Sequence, residues 1–198
     1  MSELLPVSKH PLSANPKYGK AVESLKEKHY RECNRDGNCL YSSVTLLIFP
    51  LLRDERAKSM FYGFTKEFEE MDVPSVVYEC YITSIEEIIE KISVDDLDSE
   101  DLTVFTAYLR LICSTHAKMN EKKYQSFIQM DLKQYCAEHI DPMDQRAGSF
   151  ELAVLADALQ LKITVISIAD DEKFQTSFGE GPEVKILHTP DHFEPLYD

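Results

Sequence analysis

The chain has few glycines, few basic residues and no long hydrophobic run. Only 6 of its 198 residues are glycine and no segment is of low complexity, which argues against disorder. No apolar stretch is long enough to span a bilayer, and the first 20 residues contain prolines and lysines rather than a secretory signal. We therefore expect a soluble cytoplasmic protein, with the nucleus as an additional location, that does not act at a membrane.

The shortage of basic residues indicates which kinds of partner the protein surface can bind. Lys and Arg number 21 against 35 Asp and Glu, for a formal charge of −14. Such a balance disfavours nucleic acids and anionic membranes and suits a basic partner, although acidic surfaces also serve solubility alone. The 5 cysteines are an odd number and scattered, as expected in a reducing compartment. With 43% hydrophobic residues, we expect one domain with a substantial core, present as a monomer.

A short polar turn followed by an apolar helical pattern is the most informative stretch. Asp36, Gly37 and Asn38 favour a turn, because Gly37 tolerates a positive φ. The apolar positions after the turn fall at helical spacing: Leu40, Val44, Leu47 and Ile48. Cys39 is thus predicted at a helix N-terminus, where free N–H groups and the helix dipole favour a thiolate. The same turn is placed to supply oxyanion donors, so Cys39 is a candidate nucleophile; a buried core cysteine is the alternative.

A partner for Cys39 is predicted near the C-terminus. His192 and Glu194 alternate at the start of a predicted strand, so both side chains lie on one face and the carboxylate can orient the imidazole. His-x-Glu alone is weak evidence, and His188 is a rival base. Asp191 is expected to raise the pKa of the His192 imidazole or to compete for its proton.

Two further patterns suggest metal sites but have simpler interpretations. Cys113-x-x-His116 and Cys136-x-x-His139 resemble zinc-ligand spacings, yet both lie on apolar faces of predicted helices, where core packing explains them. The acidic run at residues 95–101 lacks the alternating ligands and glycine of a hard-cation loop, and is interpreted as a solvated loop and helix N-terminus. We therefore expect no metal and no cofactor.

The rest of the chain is predicted to be mostly helical, with strands near the C-terminus. Residues 1–18 contain Pro6, Pro11 and Pro16 and indicate an extended, partly mobile N-terminal arm before a single domain at 19–198. Helices are predicted over 21–29, 121–130, 132–139 and 150–160, with Pro50 ending the helix of Cys39. Strands are predicted at 161–168 and 184–188, separated by a polar loop at 169–182. Two apolar stripes mark the central helices: Ile85, Ile88, Ile89 and Ile92, which Ser84 and Glu87 would cap, and Leu102, Phe105, Leu109, Ile112 and His116.

Several blocks together resemble the otubains, which are cysteine peptidases of the ovarian-tumour (OTU) type. The resemblance covers nearly everything from about residue 20 to the end. It rests on Asp36-Gly37-Asn38-Cys39-Leu40-Tyr41, Tyr108-Leu109-Arg110-Leu111, Phe127-Ile128, Tyr135-Cys136, Ile140-Asp141-Pro142-Met143 and His192-Phe193-Glu194-Pro195-Leu196-Tyr197. It implies a papain-like α+β OTU fold, with a small sheet packed between the nucleophile helix region and a larger helical subdomain.

The same resemblance implies that the domain at 19–198 is the catalytic domain of a deubiquitinase. Cys39 is then the nucleophile that attacks the carbonyl of the C-terminal glycine of ubiquitin, His192 the base, Glu194 the group that orients it, and Asp36 part of the oxyanion-hole turn. Ubiquitin, polyubiquitin chains and a ubiquitin-conjugating enzyme are the implied partners, and an acidic cleft would steer the arginine-rich ubiquitin tail. Otubains usually carry Asp where this chain has Glu194. The alternative function is a weak or inactive otubain-like module that binds ubiquitin and a conjugating enzyme.

Overall fold

A computed structural model describes residues 3–91, 93–170 and 172–198 of the protein. Ile92, the last member of the first predicted apolar stripe, lies outside these residues. Within the described part, no helix is both long and apolar enough to cross a membrane.

A mixed sheet of six strands forms one layer of the described structure. Its strands follow the order β1-β2-β6-β5-β3-β4, and neighbours are antiparallel except for the parallel pair β3 and β5. The strands are β1 (Leu5–Pro6), β2 (His29–Tyr30), β3 (Lys162–Ala169), β4 (Glu172–Phe178), β5 (Glu183–Thr189) and β6 (His192–Tyr197). The β-branched run of β3 is buried along most of its length, as a central strand requires.

Two helices, α2 (Cys39–Ile48) and α9 (Ser149–Ala158), pack on one face of this sheet, and α1 (Gly19–Glu23) lies on the other face with the N-terminal segment. Helix α2 contacts β5 and β6 on one side and α6 on the other, so it lies between the sheet and the remaining helices. Helices α5 and α9 pack against α6 in turn. The helices are α1 (Gly19–Glu23), α2 (Cys39–Ile48), α3 (Glu55–Tyr62), α4 (Thr65–Glu70), α5 (Ser75–Lys91), α6 (Ser99–Met119), α7 (Glu121–Tyr124), α8 (Leu132–Tyr135) and α9 (Ser149–Ala158). The predicted α+β class is confirmed.

Several predicted boundaries differ from the structure. Helix α1 ends at Glu23 rather than His29, because the chain leaves it to form β2. Helix α5 runs through Ser84, so the predicted cap with Glu87 is wrong. The helix predicted over 121–130 ends early in a 3₁₀ turn, and the one over 132–139 continues as a π-helical turn. Strand β4 replaces part of the predicted loop at 169–182. Phe174 and Phe178 share one of its faces, but the strand is otherwise polar and is exposed except at Phe178, so its composition resembles that of a loop.

The N-terminal segment packs against the sheet instead of extending from it. After β1 it forms two 3₁₀ turns, Val7–Lys9 and Pro11–Ala14. Val7 is 6% exposed and His10 only 4%. This segment covers a second apolar cluster on the sheet, away from the helical core, formed with Tyr30, Ile166, Ile168, Leu187 and Leu196. The prediction of an extended arm is therefore wrong for residues 5–14, while its partial mobility stays a prediction.

Candidate active site

The turn before Cys39 has the predicted geometry. Gly37 has a φ of +85°, and the Asp36 carboxylate accepts a hydrogen bond of 2.8 Å from the backbone N–H of Asn38. Helix α2 then begins at Cys39 itself. Gly37 is required for a second reason, since a Cβ there would lie 2.0 Å from the carbonyl oxygen of Asp144.

Hydrogen bonds from Asn38 fasten this turn to the loop after Ile140. The Asn38 amide donates to Asp144 Oδ1 at 2.7 Å, and its oxygen accepts from the Asp144 backbone N–H at 3.0 Å and from Arg110 at 2.8 Å. Arg110 is 1% exposed, and it also donates to the carbonyls of Ile140 and Gln145 at 2.9 and 2.7 Å. Sequence reasoning missed this role of Arg110, although a charged residue within an apolar helical stripe signals a buried polar network.

The thiol of Cys39 is in a mostly buried position. Its residue is 8% exposed, and this burial raises the pKa of the thiol above its ordinary value. Hydrogen bonds from the backbone N–H groups of Phe193, Leu40 and Cys39 itself act in the opposite direction. The N–H groups at the helix N-terminus thus lower the pKa of the thiol, as predicted, but burial raises it by more. The sequence-based prediction that the thiolate is favoured over the thiol is therefore wrong for the free site.

His192 and Glu194 share the buried face of β6, as their alternation predicts. His192 is 2% exposed and Glu194 4%. Nε2 of His192 lies 3.7 Å from Oε1 of Glu194, which is ion-pair distance but long for a hydrogen bond. Nδ1 of His192 is buried without a hydrogen-bond partner among the described residues. Burial lowers the pKa of His192, with a further contribution from Arg35, while Glu194 and the Cys33 backbone oppose the shift. His192 is therefore set up as a neutral imidazole that can accept a proton.

A second histidine binds the same carboxylate. Nε2 of His10, in the N-terminal segment, lies 2.8 Å from Oε2 of Glu194. Sequence reasoning missed His10, because it is 184 residues away along the chain and nothing in the proline-containing segment connects it with Glu194.

A cleft of about 440 Å³ opens beside Cys39. Gly37 and Phe193 line it together with Cys39. Its charged lining residues are Arg35, Arg146 and Asp191, so two of the three are basic. The predicted acidic cleft is therefore wrong at the immediate surface of the cleft, and the acidic residues that dominate the composition lie elsewhere.

Comparison with known proteins identifies the family. The family model described as Peptidase C65 Otubain matches residues 7–198. The chain belongs to the otubain family of peptidases. Ubiquitin thioesterase OTUB1 of Homo sapiens is 26% identical to this otubain over 204 residues, which cover 91% of this chain and 75% of that protein. Ubiquitin thioesterase OTUB2 of Mus musculus is 25% identical over 214 residues, covering 95% and 89%.

The fold agrees with that assignment. A solved structure described as h/ceOTUB1-ubiquitin aldehyde-UBC13~Ub superposes on this otubain with a TM-score of 0.84. The match covers 99% of this chain and 89% of that one, at 20% sequence identity. The otubain resemblance predicted from the sequence is confirmed, and so is the OTU fold.

His188, the alternative to His192 as the base of this otubain, lines the cleft. The ring of His188 stacks on Phe193 with 4.5 Å between centroids, and its Nδ1 lies 3.2 Å from the hydroxyl of Ser167. Asp191 pairs with Arg146 at 2.9 Å, and its charge raises the pKa of His188, which burial lowers overall. The structure thus directs Asp191 toward Arg146 and His188 rather than toward His192.

The sequence patterns that resemble metal sites have structural roles. Cys113 and Cys136 are buried in the helical core, and both ring nitrogens of His116 are bound by carboxylates, of Glu67 at 3.2 Å and Asp157 at 3.0 Å. In the acidic run, Asp96 and Asp98 take part in capping boxes, the second at the start of α6. Across the described ranges, no group of three or more His, Cys, Asp or Glu side chains is arranged to hold a metal ion.

Proposed function

We propose that this otubain is a thiol-dependent deubiquitinase that cleaves the bond after the C-terminal glycine of ubiquitin. One arrangement supports the assignment of residues. Cys39 lines the same cleft as Phe193, the neighbour of His192, and His192 has a buried Nδ1 without a hydrogen-bond partner on a ring that lies 3.7 Å from Glu194. A nucleophile, a base and an acid are thus collected at one end of β6.

The named relatives support the choice of substrate. Both proteins compared above are called ubiquitin thioesterases, and the structural neighbour is a complex with ubiquitin aldehyde and a UBC13~Ub conjugate. Ubiquitin, polyubiquitin chains and a ubiquitin-conjugating enzyme are therefore the partners that we propose for this otubain. The basic cleft lining provided by Arg35 and Arg146 means that acidic residues outside the cleft must account for any steering of the ubiquitin tail.

In the proposed mechanism, catalysis begins with a neutral Cys39 thiol and a neutral His192 imidazole. As the Cys39 sulfur attacks the carbonyl of the scissile bond, His192 takes the thiol proton at Nδ1, and Glu194 stabilises the resulting imidazolium. The imidazolium then gives this proton to the leaving amine, which leaves a thioester on Cys39. A water molecule, deprotonated by His192, hydrolyses the thioester and restores the thiol.

Asp36 acts by shaping the oxyanion-hole turn. Because its carboxylate already occupies the N–H of Asn38, that group is not available to the substrate. We assign the oxyanion contact to the backbone N–H of Cys39 at the first residue of α2, where the helix dipole also favours negative charge. This N–H interacts with the Cys39 sulfur in the free site, and it becomes available as the sulfur bonds to the carbonyl carbon and the negative charge passes to the carbonyl oxygen.

The alternative function is a weak or inactive module that binds ubiquitin and a conjugating enzyme. The 3.7 Å separation between His192 and Glu194 agrees with it, because the acid and the base form no hydrogen bond in the free site; in an active enzyme this contact shortens when substrate binds. The raised pKa of the Cys39 thiol points the same way.

Ubiquitin with an electrophilic C-terminus distinguishes the two functions. We expect an adduct on Cys39, mapped by mass spectrometry, and none in Cys39→Ala. Hydrolysis should fall at least about 100-fold in His192→Ala but less than about 5-fold in His188→Ala, the matched histidine of the same cleft. If the wild type forms no adduct yet binds ubiquitin, the binding module is correct; a larger loss in His188→Ala makes His188 the base.

A further inference from the structure

The Glu194 carboxylate is shared between two histidines in a buried position. His10 takes Oε2 at 2.8 Å, and His192 lies 3.7 Å from Oε1. All three residues are 4% exposed or less. The shorter of the two contacts therefore belongs to a residue of the N-terminal segment and not to the proposed base.

The contacts of His10 determine both the position of its ring and which ring nitrogen carries the proton. The backbone N–H of Leu12 donates to Nδ1 at 3.1 Å, so Nδ1 carries no proton and Nε2–H is the donor to Glu194. The ring also makes an edge contact with Tyr30, at 4.8 Å between centroids. The carbonyl of His10 accepts from Ser13 at 2.6 Å. His10 is thus a rigid hydrogen-bond donor with a defined direction.

Glu194 needs such a donor because its side chain is flexible. A glutamate has one more rotatable bond than an aspartate, so a single loose contact at 3.7 Å leaves its orientation undetermined. A short bond from a fixed donor to one oxygen places the other oxygen on the side of His192. Removing that donor also leaves a buried carboxylate oxygen without its partner.

We propose that His10 is a positioning residue of the active site, which holds the Glu194 carboxylate in the orientation that faces His192. The N-terminal segment is then part of the active site and not only a cover for the sheet. This inference rests on the proposed function, in which His192 is the base. It concerns orientation of the acid, so its effect appears in catalysis rather than in substrate binding.

Three substitutions separate orientation from docking of the segment. His10→Leu removes the hydrogen bond, while His10→Gln keeps an N–H donor at the position of Nε2; both remove the imidazole. Val7→Ala loosens the same segment at a buried apolar residue whose side chain has no hydrogen-bond donor for Glu194. Circular dichroism confirms that each variant is folded.

Hydrolysis of a ubiquitin C-terminal substrate and NMR titration of the His192 ring are the measurements. In His10→Leu we expect kcat to fall about 10-fold or more with KM within about 3-fold. The titration midpoint of His192 should be lower in His10→Leu than in His10→Gln, because both variants lose the lowering effect of the His10 charge and only His10→Gln keeps Glu194, which favours the protonated ring, in place. His10→Gln and Val7→Ala should stay within about 3-fold of wild-type kcat.

The opposing outcomes are distinct. A wild-type kcat in His10→Leu, equal His192 midpoints in His10→Leu and His10→Gln, or equal losses of kcat in His10→Leu and Val7→Ala each overturn the inference. A faster His10→Leu variant also overturns it, because His10 would then draw Glu194 away from His192. If the wild type does not hydrolyse ubiquitin, the proposed function fails, and the His192 midpoint in His10→Leu against His10→Gln still decides whether His10 orients Glu194.

Discussion

Gly37→Ala should impair catalysis by this otubain more than it impairs folding. Gly37 has a φ of +85°, and an added Cβ would lie 2.0 Å from the Asp144 carbonyl oxygen, where real Cβ contacts are essentially never under 3.0 Å. The carbonyl or the turn must therefore move by at least about 1 Å. Asp144 resists this movement, because two hydrogen bonds join it to Asn38. The left-handed conformation and the contact should together destabilise the fold by about 1–3 kcal/mol.

The catalytic effect follows from the position of Cys39, two residues after Gly37. A displacement of about 1 Å at a reacting group typically costs about 10²-fold in rate. We expect kcat/KM for a ubiquitin C-terminal substrate to fall by about that factor, while thermal unfolding shows that the protein remains folded at the assay temperature. Gly63→Ala is the control, since Gly63 has a φ of −68° and does not line the cleft. Wild-type kcat/KM in a folded Gly37→Ala protein would refute the argument that this turn positions the nucleophile.

Two further predictions concern the base and the network behind the turn. Because burial lowers the pKa of His192 below its ordinary 6.5, the acidic limb of the kcat/KM profile should lie below pH 6.5, and a pH–rate measurement that places it higher would contradict a neutral His192. Arg110→Met should lower the free energy of unfolding by about 2–4 kcal/mol, because the Ile140 and Gln145 carbonyls and the Asn38 amide oxygen each lose a donor. The exposed Arg56→Met is its control, expected within about 0.5 kcal/mol of wild type in chemical denaturation; equal values for the two variants would rule out the network.

Local patterns made the nucleophile turn and the face of β6 predictable. The polar turn, the helix that starts at Cys39 and the alternation of His192 with Glu194 all depend on residues within a few positions of each other. The contacts that complete the site join residues that are far apart in the sequence. Asn38 meets Asp144 across 106 residues and His10 meets Glu194 across 184, and no periodicity in the sequence encodes such pairs.

The direction of the thiol pKa shows why a local pattern is not sufficient. A helix N-terminus does lower the pKa of Cys39, through the N–H groups of Leu40 and Cys39, and the sequence predicts this effect. Burial depends on the packing of α2 between the sheet and α6, which only the tertiary structure reveals. Since burial is the larger effect, the sequence alone predicts the wrong sign.

Burial acts on the two proposed reacting groups in a way that concentrates catalysis in the transition state. It raises the pKa of the Cys39 thiol and lowers that of the His192 imidazole, so both changes favour the neutral pair in the free enzyme. Charge then appears on His192 only as the sulfur attacks. A carboxylate beside the ring contributes little to a neutral imidazole and much to an imidazolium, so the contribution of Glu194 belongs to the transition state and raises kcat without tightening substrate binding. The same reasoning extends to His10, whose hydrogen bond matters for catalysis only through the charge that Glu194 has to stabilise.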